Sequence, residues 1–290
     1  TLALLQAYLE NDGDGWSYTL DYLERFLDGR RTATEPVPED AHGGYLALVQ
    51  TLGTRTAELH RALARQTGDP AFDPEPFGPD DLEDWKRRVR EELQTTLAAV
   101  EARRREMTVP VRLDAQELLG ARERIVARIA AAAAPRSGTL KTRLHGDYHL
   151  GQVLLVKNDF LIIDFEGEPG RTAAERRAKH WPLRDVASML RSFDYARWTA
   201  LRRVAQGDEE AARLEPLATG WADEAQGAFL GAYERALQGT GLVVAFEEVR
   251  DLLALAELEK VLYELRYELG NRPGWVGIPL AGVLALARAS

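Results

Sequence analysis

Between Leu144 and Glu168 the chain reads LHGDYHLGQVLLVKNDFLIIDFEGE. This stretch holds two carboxylates and an amide at suggestive positions. His145-Gly146-Asp147 is followed, five residues after the aspartate, by Gln152, and Asp164-Phe165-Glu166 closes the stretch. Two short apolar runs lie between, Val153 to Val156 and Phe160 to Ile163, joined by Lys157-Asn158-Asp159. Each run suits a short strand, and the polar residues between them suit a tight hairpin turn. A hairpin this short brings its ends together, so Asp147, Gln152 and Asp164 can face one small volume.

Phosphoryl transfer needs such a set. One carboxylate orients a hydroxyl and takes its proton, while a second carboxylate and an amide oxygen hold magnesium on the phosphates. Protein kinases write this as HRD, four residues, Asn, then DFG; here it is HGD, four residues, Gln, then DFE. A buried His and Asp that merely cap a hairpin would leave the acidic motif at each end unexplained.

The HGD form resembles the aminoglycoside phosphotransferase-like kinases, which act on small molecules. The longer string HGDYHLGQVL with IDFEGEP, and PLRDVASMLRSFDYA from Pro182 to Ala196, is similar to maltokinase, in which Gln also replaces Asn. The resemblance runs from about Leu4 to Gly277 and implies an α+β fold: a protein-kinase-like C-terminal lobe, mostly helical, with a small catalytic β-hairpin. It implies ATP and Mg2+ as cofactors and maltose as acceptor, phosphorylated to maltose 1-phosphate. Asp147 would be the base at the anomeric hydroxyl, and Gln152 and Asp164 would be the metal ligands. It further implies a trehalose synthase, fused or associated, as partner. Residues 1–10 would be the hinge, whose backbone at Gln6, Ala7 and Tyr8 would meet adenine, and residues 11–290 the lobe itself. No GxGxxG or VAIK-type strand occurs, so the N-terminal lobe is expected to be absent from this chain and the isolated fragment inactive.

The elements that must position these groups are legible as helices. Trp16, Leu20, Leu23 and Leu27 share one face, with Asp14 placed to cap it. Tyr45 to Leu63 is amphipathic and contains His60, read as a packed histidine. Gly68 to Pro79 carries four prolines and reads as a loop. Asp80 to Glu106 and Asp114 to Ala134 read as two long helices. Gly167 to Trp181 occupies the place of an activation segment. The next helix begins near Arg184-Asp185, and in kinase-like folds an aspartate there accepts hydrogen bonds from the catalytic loop; Asp185 and His145 are thus supporting residues. Leu217 to Leu237, Glu247 to Leu269 and Ile278 to Ala287 complete the helical set.

A sugar acceptor needs polar partners and an apolar platform. Lys260, Tyr263 and Tyr267 recur at i, i+3 and i+7 on one helix face. Spacing alone suits a core stripe as well; the maltokinase resemblance assigns them to the sugar. Tyr148, His149 and Glu166 flank the catalytic motifs and are candidates for the same ligand.

Composition narrows the alternatives. The chain has 290 residues, a formal net charge of −9, and no cysteine. No basic face separates from acidic neighbours, which argues against nucleic acid. Without thiols there is neither a disulfide nor a Cys-based zinc site. The longest apolar stretch is too short to span a membrane, and no signal peptide is legible, so the expected location is cytoplasmic. The competing readings are another small-molecule kinase of the same superfamily, acting on an aminoglycoside, homoserine or a fructosamine, and a non-catalytic docking module.

Overall fold

The computed structural model describes residues 8–33, 35–134, 139–168, 170–240, 242 and 246–288. Its first helix, α1 (Gly15–Arg30), starts where Asp14 accepts a hydrogen bond from the Ser17 backbone N–H at 2.8 Å, satisfying one of the helix's free donors. Gly15 is needed there: a β-carbon would stand 2.8 Å from Val153 Cγ2, so the helix start lies directly on the hairpin that begins at Val153. The apolar stripe Leu20, Leu23 and Leu27 is buried.

Nine further helices are described: α2 (Gly43–Leu63), α3 (Pro79–Arg103), α4 (Val109–Gly120), α5 (Arg122–Ala131), α6 (Ala173–Arg177), α7 (Leu183–Val204), α8 (Asp208–Leu237), α9 (Phe246–Asn271) and α10 (Gly277–Arg288). Four short strands accompany them: β1 (Glu75–Phe77), β2 (Thr139–Lys141), β3 (Val153–Val156) and β4 (Asp159–Ile162). The fold is therefore mostly helical. Helix α7 is its axle, packed against α1, α8 and α9, while α2 lies along α8 and α3 along α9. Phe193 and Trp221 meet edge to face across the α7–α8 contact, which adds directional packing to apolar burial.

The β3–β4 hairpin pairs Val153 with Ile162 and Val156 with Asp159, antiparallel. Its turn residues Lys157 and Asn158 have φ of 51° and 61°, the left-handed pair that a two-residue hairpin turn requires. Arg55 of α2 fixes the turn side by a two-pronged contact with Asp159, Nε and Nη2 at 2.8 and 2.7 Å.

Two expectations fail. The proline-rich stretch 68–79 contains β1, which pairs antiparallel with β2 (Glu75 opposite Lys141); the partner lies some sixty residues away, beyond reach of local patterning. The expected helix from Asp114 to Ala134 is two helices, α4 and α5, meeting at Ala121 after Gly120, a residue that weakens helix interiors.

Candidate active site

The loop between β2 and β3 is held by its backbone. Gly146 has φ +84°, and a β-carbon on it would sit 3.3 Å from Gly167 Cα, so only glycine suits both the left-handed turn and the close approach. The backbone N–H groups of His145 and Gly146 donate to the two carboxylate oxygens of Asp185, at 2.8 and 3.0 Å. Asp185 stands in the first turn of α7 and is buried. Burial disfavours its charge, but the hydrogen bond from His60 and the backbone donors outweigh this and hold its carboxyl below the usual range. His60 spans Asp185 Oδ2 at 3.3 Å and the Tyr233 hydroxyl at 2.8 Å. The packed histidine of the sequence reading is thus a strut between α2, α7 and α8.

His145 ties the two ends of the hairpin. Its Nδ1 accepts from the Asp147 backbone N–H at 3.3 Å, which leaves Nε2–H to donate to the Ile163 carbonyl at 2.7 Å. The next residue, Asp164, has φ +64°, an uncommon backbone state for a residue with a β-carbon and one that recurs at functional sites. Gln152 donates its amide N–H to Asp164 Oδ2 at 3.0 Å. That leaves the Gln152 carbonyl oxygen and the second Asp164 oxygen uncommitted. Magnesium takes oxygen ligands and keeps several waters or phosphate oxygens, and this donor pair fits it. Among the described residues no group of three or more His, Cys, Asp or Glu side chains could hold a metal ion by itself.

Asp147 lies one step deeper. Its Oδ1 is 3.8 Å from Lys260 Nζ and its Oδ2 is 3.9 Å from His149 Nε2. Lys260, on α9, pairs more tightly with Glu168 at 2.6 Å, and Arg171 holds the other Glu168 oxygen at 3.1 Å. Burial opposes charge on both partners, but neighbouring charges outweigh it: Glu168, with Asp147 and Glu264, holds Lys260 above its ordinary pKa, and Lys260, with Arg171, holds Glu168 below. Beyond Lys260 opens a cleft of about 410 Å³, lined among others by Trp16, His149, Tyr195, Tyr263, Tyr267 and Trp275. Tyr263 and Tyr267 stack with centroids 6.5 Å apart. Two carboxylates, Glu264 and Glu268, also line the cleft. Arg191 Nε donates to Glu264 Oε2 at 3.0 Å; Tyr195 and Arg272 hold Glu268 at 3.2 and 2.9 Å. Burial pushes the Glu264 carboxyl up, against the pull of Arg191.

The structure thus gathers Asp147, Gln152 and Asp164 at the hairpin and His149, Lys260, Tyr263 and Tyr267 around the cleft. It does not bring every candidate there. Tyr148 is wholly buried, its hydroxyl 2.7 Å from Thr56 Oγ1, so as an apolar ring with a satisfied hydroxyl it belongs to the core and not to an acceptor. Glu166 is exposed and lines a different depression with Phe72, Phe165 and Arg176; Glu168, two residues on, is the acid that reaches Lys260. Tyr8 is 87% exposed, and Gln6 and Ala7 lie outside the described residues. The sequence reading missed Glu168, Glu264, Glu268, Trp16 and Trp275. The i, i+4 spacing of Glu264 and Glu268, beside the tyrosines on the same helix, was the available signal.

Known proteins share this architecture. The chain is 29% identical over 278 residues to a glucosamine kinase of Streptacidiphilus jiangxiensis, and 28% identical over 280 residues to one of Mycolicibacterium smegmatis. Each match takes in 96% of this chain, which spans only 56% and 61% of those relatives' own lengths. A solved glucosamine kinase in complex with glucosamine, ADP and inorganic phosphate superposes with a TM-score of 0.75 at 27% identity, over 97% of this chain and 59% of the other. These relatives are named for an amino sugar, which overturns maltose as the expected partner; the expected link to trehalose synthase rested on maltose and falls with it. No helix among the described residues is long and apolar enough to cross a membrane. The model of the APH phosphotransferase enzyme family matches residues 10–252, the span that carries the HGD loop, the hairpin, Asp185 and the helices packed beneath them, and the chain belongs to that family.

Proposed function

We propose that this chain supplies the catalytic and acceptor-binding part of an ATP-dependent kinase whose acceptor is an amino sugar of the glucosamine type. The observation that carries the reading is the pairing of chemistries beside Asp147. Trp16, Tyr263, Tyr267 and Trp275 offer apolar faces for a sugar ring, and Glu264 and Glu268 offer carboxylates to an ammonium group. Asp147 orients the acceptor hydroxyl and takes its proton as the γ-phosphoryl moves to the oxygen. Gln152 and Asp164 are the residues that would hold magnesium, which neutralises charge on the phosphates. Asp185 and His145 keep the loop that carries Asp147 in place. Lys260, shared between Glu168 and Asp147, sets the distance between the acceptor helix and the base.

An acceptor screen tests this. With ATP and magnesium, the native full-length protein is offered glucosamine, glucose and N-acetylglucosamine. A site built to pair an ammonium discriminates against analogues lacking it, so glucosamine should lead in kcat/KM by at least ~10-fold, the worth of one charged hydrogen bond. Equal use of glucose would sink the amino-sugar reading while leaving the kinase reading intact; no transfer to any sugar would sink both.

A further inference from the structure

The acceptor cleft has a neighbour of different character. Lys260 and Tyr263 form a wall shared with a second cavity, of about 190 Å³, whose other sides are Arg88 of α3, Arg171 and His180 of the 167–181 segment, and Arg184 of α7. Most charges around it are matched. Arg184 donates to Glu259 at 2.9 Å, and the other Glu259 oxygen takes the Trp85 indole N–H at 2.7 Å. Arg171 and Lys260 share Glu168. Glu175 accepts from the backbone N–H and hydroxyl of Thr172, each at 2.7 Å. Arg176 reaches the Glu166 carbonyl at 3.4 Å. Asp185 is engaged by His145, Gly146 and His60.

Among the described residues, two basic side chains on the cavity wall are left over. The partly buried Arg88 forms no hydrogen bond or ion pair with any described residue within the distances of the contacts above, and among the described residues the His180 ring has no hydrogen-bond partner. Their electrostatics agree with this. Burial lowers the Arg88 pKa although Glu259 is near. Burial, with Arg184, Arg88 and Arg171, drives His180 down to about 2. A neutral imidazole offers one N–H, and an unmatched guanidinium offers a full charge with several donors.

We infer that this cavity is a binding site for a small phosphate-type oxyanion, held by Arg88 and by a hydrogen bond from His180. Arg88 and His180 come from different elements, and Arg184, which spends one nitrogen on Glu259, comes from a third, so donors converge from several directions. That suits a tetrahedral oxyanion better than a planar carboxylate, which one guanidinium fork can satisfy. At about 190 Å³ the cavity is well above the size a single water needs, so a phosphate-sized ion has room. Gly146 and Asp185 also line the cavity, so an occupant sits directly behind the loop that carries Asp147. The inference concerns a site distinct from the transfer site and does not depend on which sugar is the acceptor.

The test is binding, not activity. Inorganic phosphate is titrated by calorimetry into the full-length protein, without nucleotide, with chelator present and ionic strength held constant; glycerol phosphate is run in parallel. Saturable binding of either supports the site, and the better binder identifies the source as free ion or monoester. Arg88→Gln should weaken binding at least ~10-fold, the loss of a charged hydrogen bond, with an unchanged circular dichroism spectrum. His180→Phe is an independent second variant expected to weaken it less. Asp164→Asn should leave it unaffected, separating it from the metal site. The absence of saturable binding, undiminished binding in both folded variants, or loss of binding in Asp164→Asn would each overturn the inference.

Discussion

The hairpin side and the α9 side of the site are built in different ways. On the hairpin side, side-chain positions follow from the backbone. A left-handed glycine, a left-handed aspartate and a two-residue turn place Asp147, Gln152 and Asp164 within one short stretch, and Asp185 clamps the loop through main-chain N–H groups. On the α9 side, positions follow from ion pairs: Lys260 with Glu168 and Glu264 with Arg191 between distant segments, and Glu268 with Arg272 just past the helix end. Backbone geometry is hard to alter one residue at a time, whereas an ion-paired wall can be re-cut by single substitutions. The proposed function puts phosphoryl chemistry on the first kind of scaffold and choice of acceptor on the second.

If that contrast is right, the hairpin side should fail by losing structure or chemistry outright, and the α9 side by losing affinity. The largest effect is expected from Asp185→Ala. It leaves the His145 and Gly146 N–H groups and His60 without their acceptor in a buried setting, and removing one partner of a buried polar pair costs about 3–5 kcal/mol. Denaturant unfolding measures this; a loss below ~1 kcal/mol would mean that the clamp is incidental. Next comes Asp147→Ala in the full-length enzyme, with an expected fall in kcat of at least ~10² while stability and KM for ATP hold. An intact kcat would remove Asp147 as the base.

Smaller effects test the other side. Glu168→Gln removes the counter-charge that holds Lys260 2.6 Å away and frees the lysine to close on Asp147. The KM for the acceptor should rise about 10-fold, in line with losing a charged hydrogen bond, more than the KM for ATP. An equal rise in both constants would blur the division between the two sides. The smallest effect is expected from Tyr267→Ala. Tyr267 is 46% exposed, so truncation should cost well under the ~3–5 kcal/mol of a core aromatic and act mainly on acceptor KM. A large drop in Tm would return it to the core stripe that spacing alone allowed.

The pH response separates the sides as well. Glu168 has a folded pKa below its ordinary 4.5, so its contribution is complete above 4.5 and is lost as pH falls through the lower folded value. Lys260 is raised above 10.5, so its contribution is complete below 10.5 and is lost as pH climbs through the higher one. Asp185, depressed from 3.8, begins to lose its contribution only below 3.8. On acidification the Glu168 contribution should therefore start to fade before that of the Asp185 clamp. Urea unfolding of the wild type and Glu168→Gln across the acid range checks this: the two stabilities should converge as Glu168 protonates, and a difference that persists below that range would assign its cost to something other than charge.

The sequence alone determined whatever is local. The HGD and DFE motifs, the hairpin joining them, the Asp14 cap and most of the helices are short-range facts of spacing, turn chemistry and period, and they sufficed for the kinase family. Tertiary structure decided what depends on which distant segments meet. Strand β1 could not be read because its partner is a remote strand. Tyr148 could not be placed in the core, nor Glu168 preferred over Glu166, because adjacent residues in an irregular loop diverge by packing and not by period. The acceptor was misjudged for the same reason. Aromatic spacing along α9 suits any sugar ring, whereas the proposed ammonium partners Glu264 and Glu268 are held by Arg191 and Tyr195 of α7 and by Arg272 just past α9.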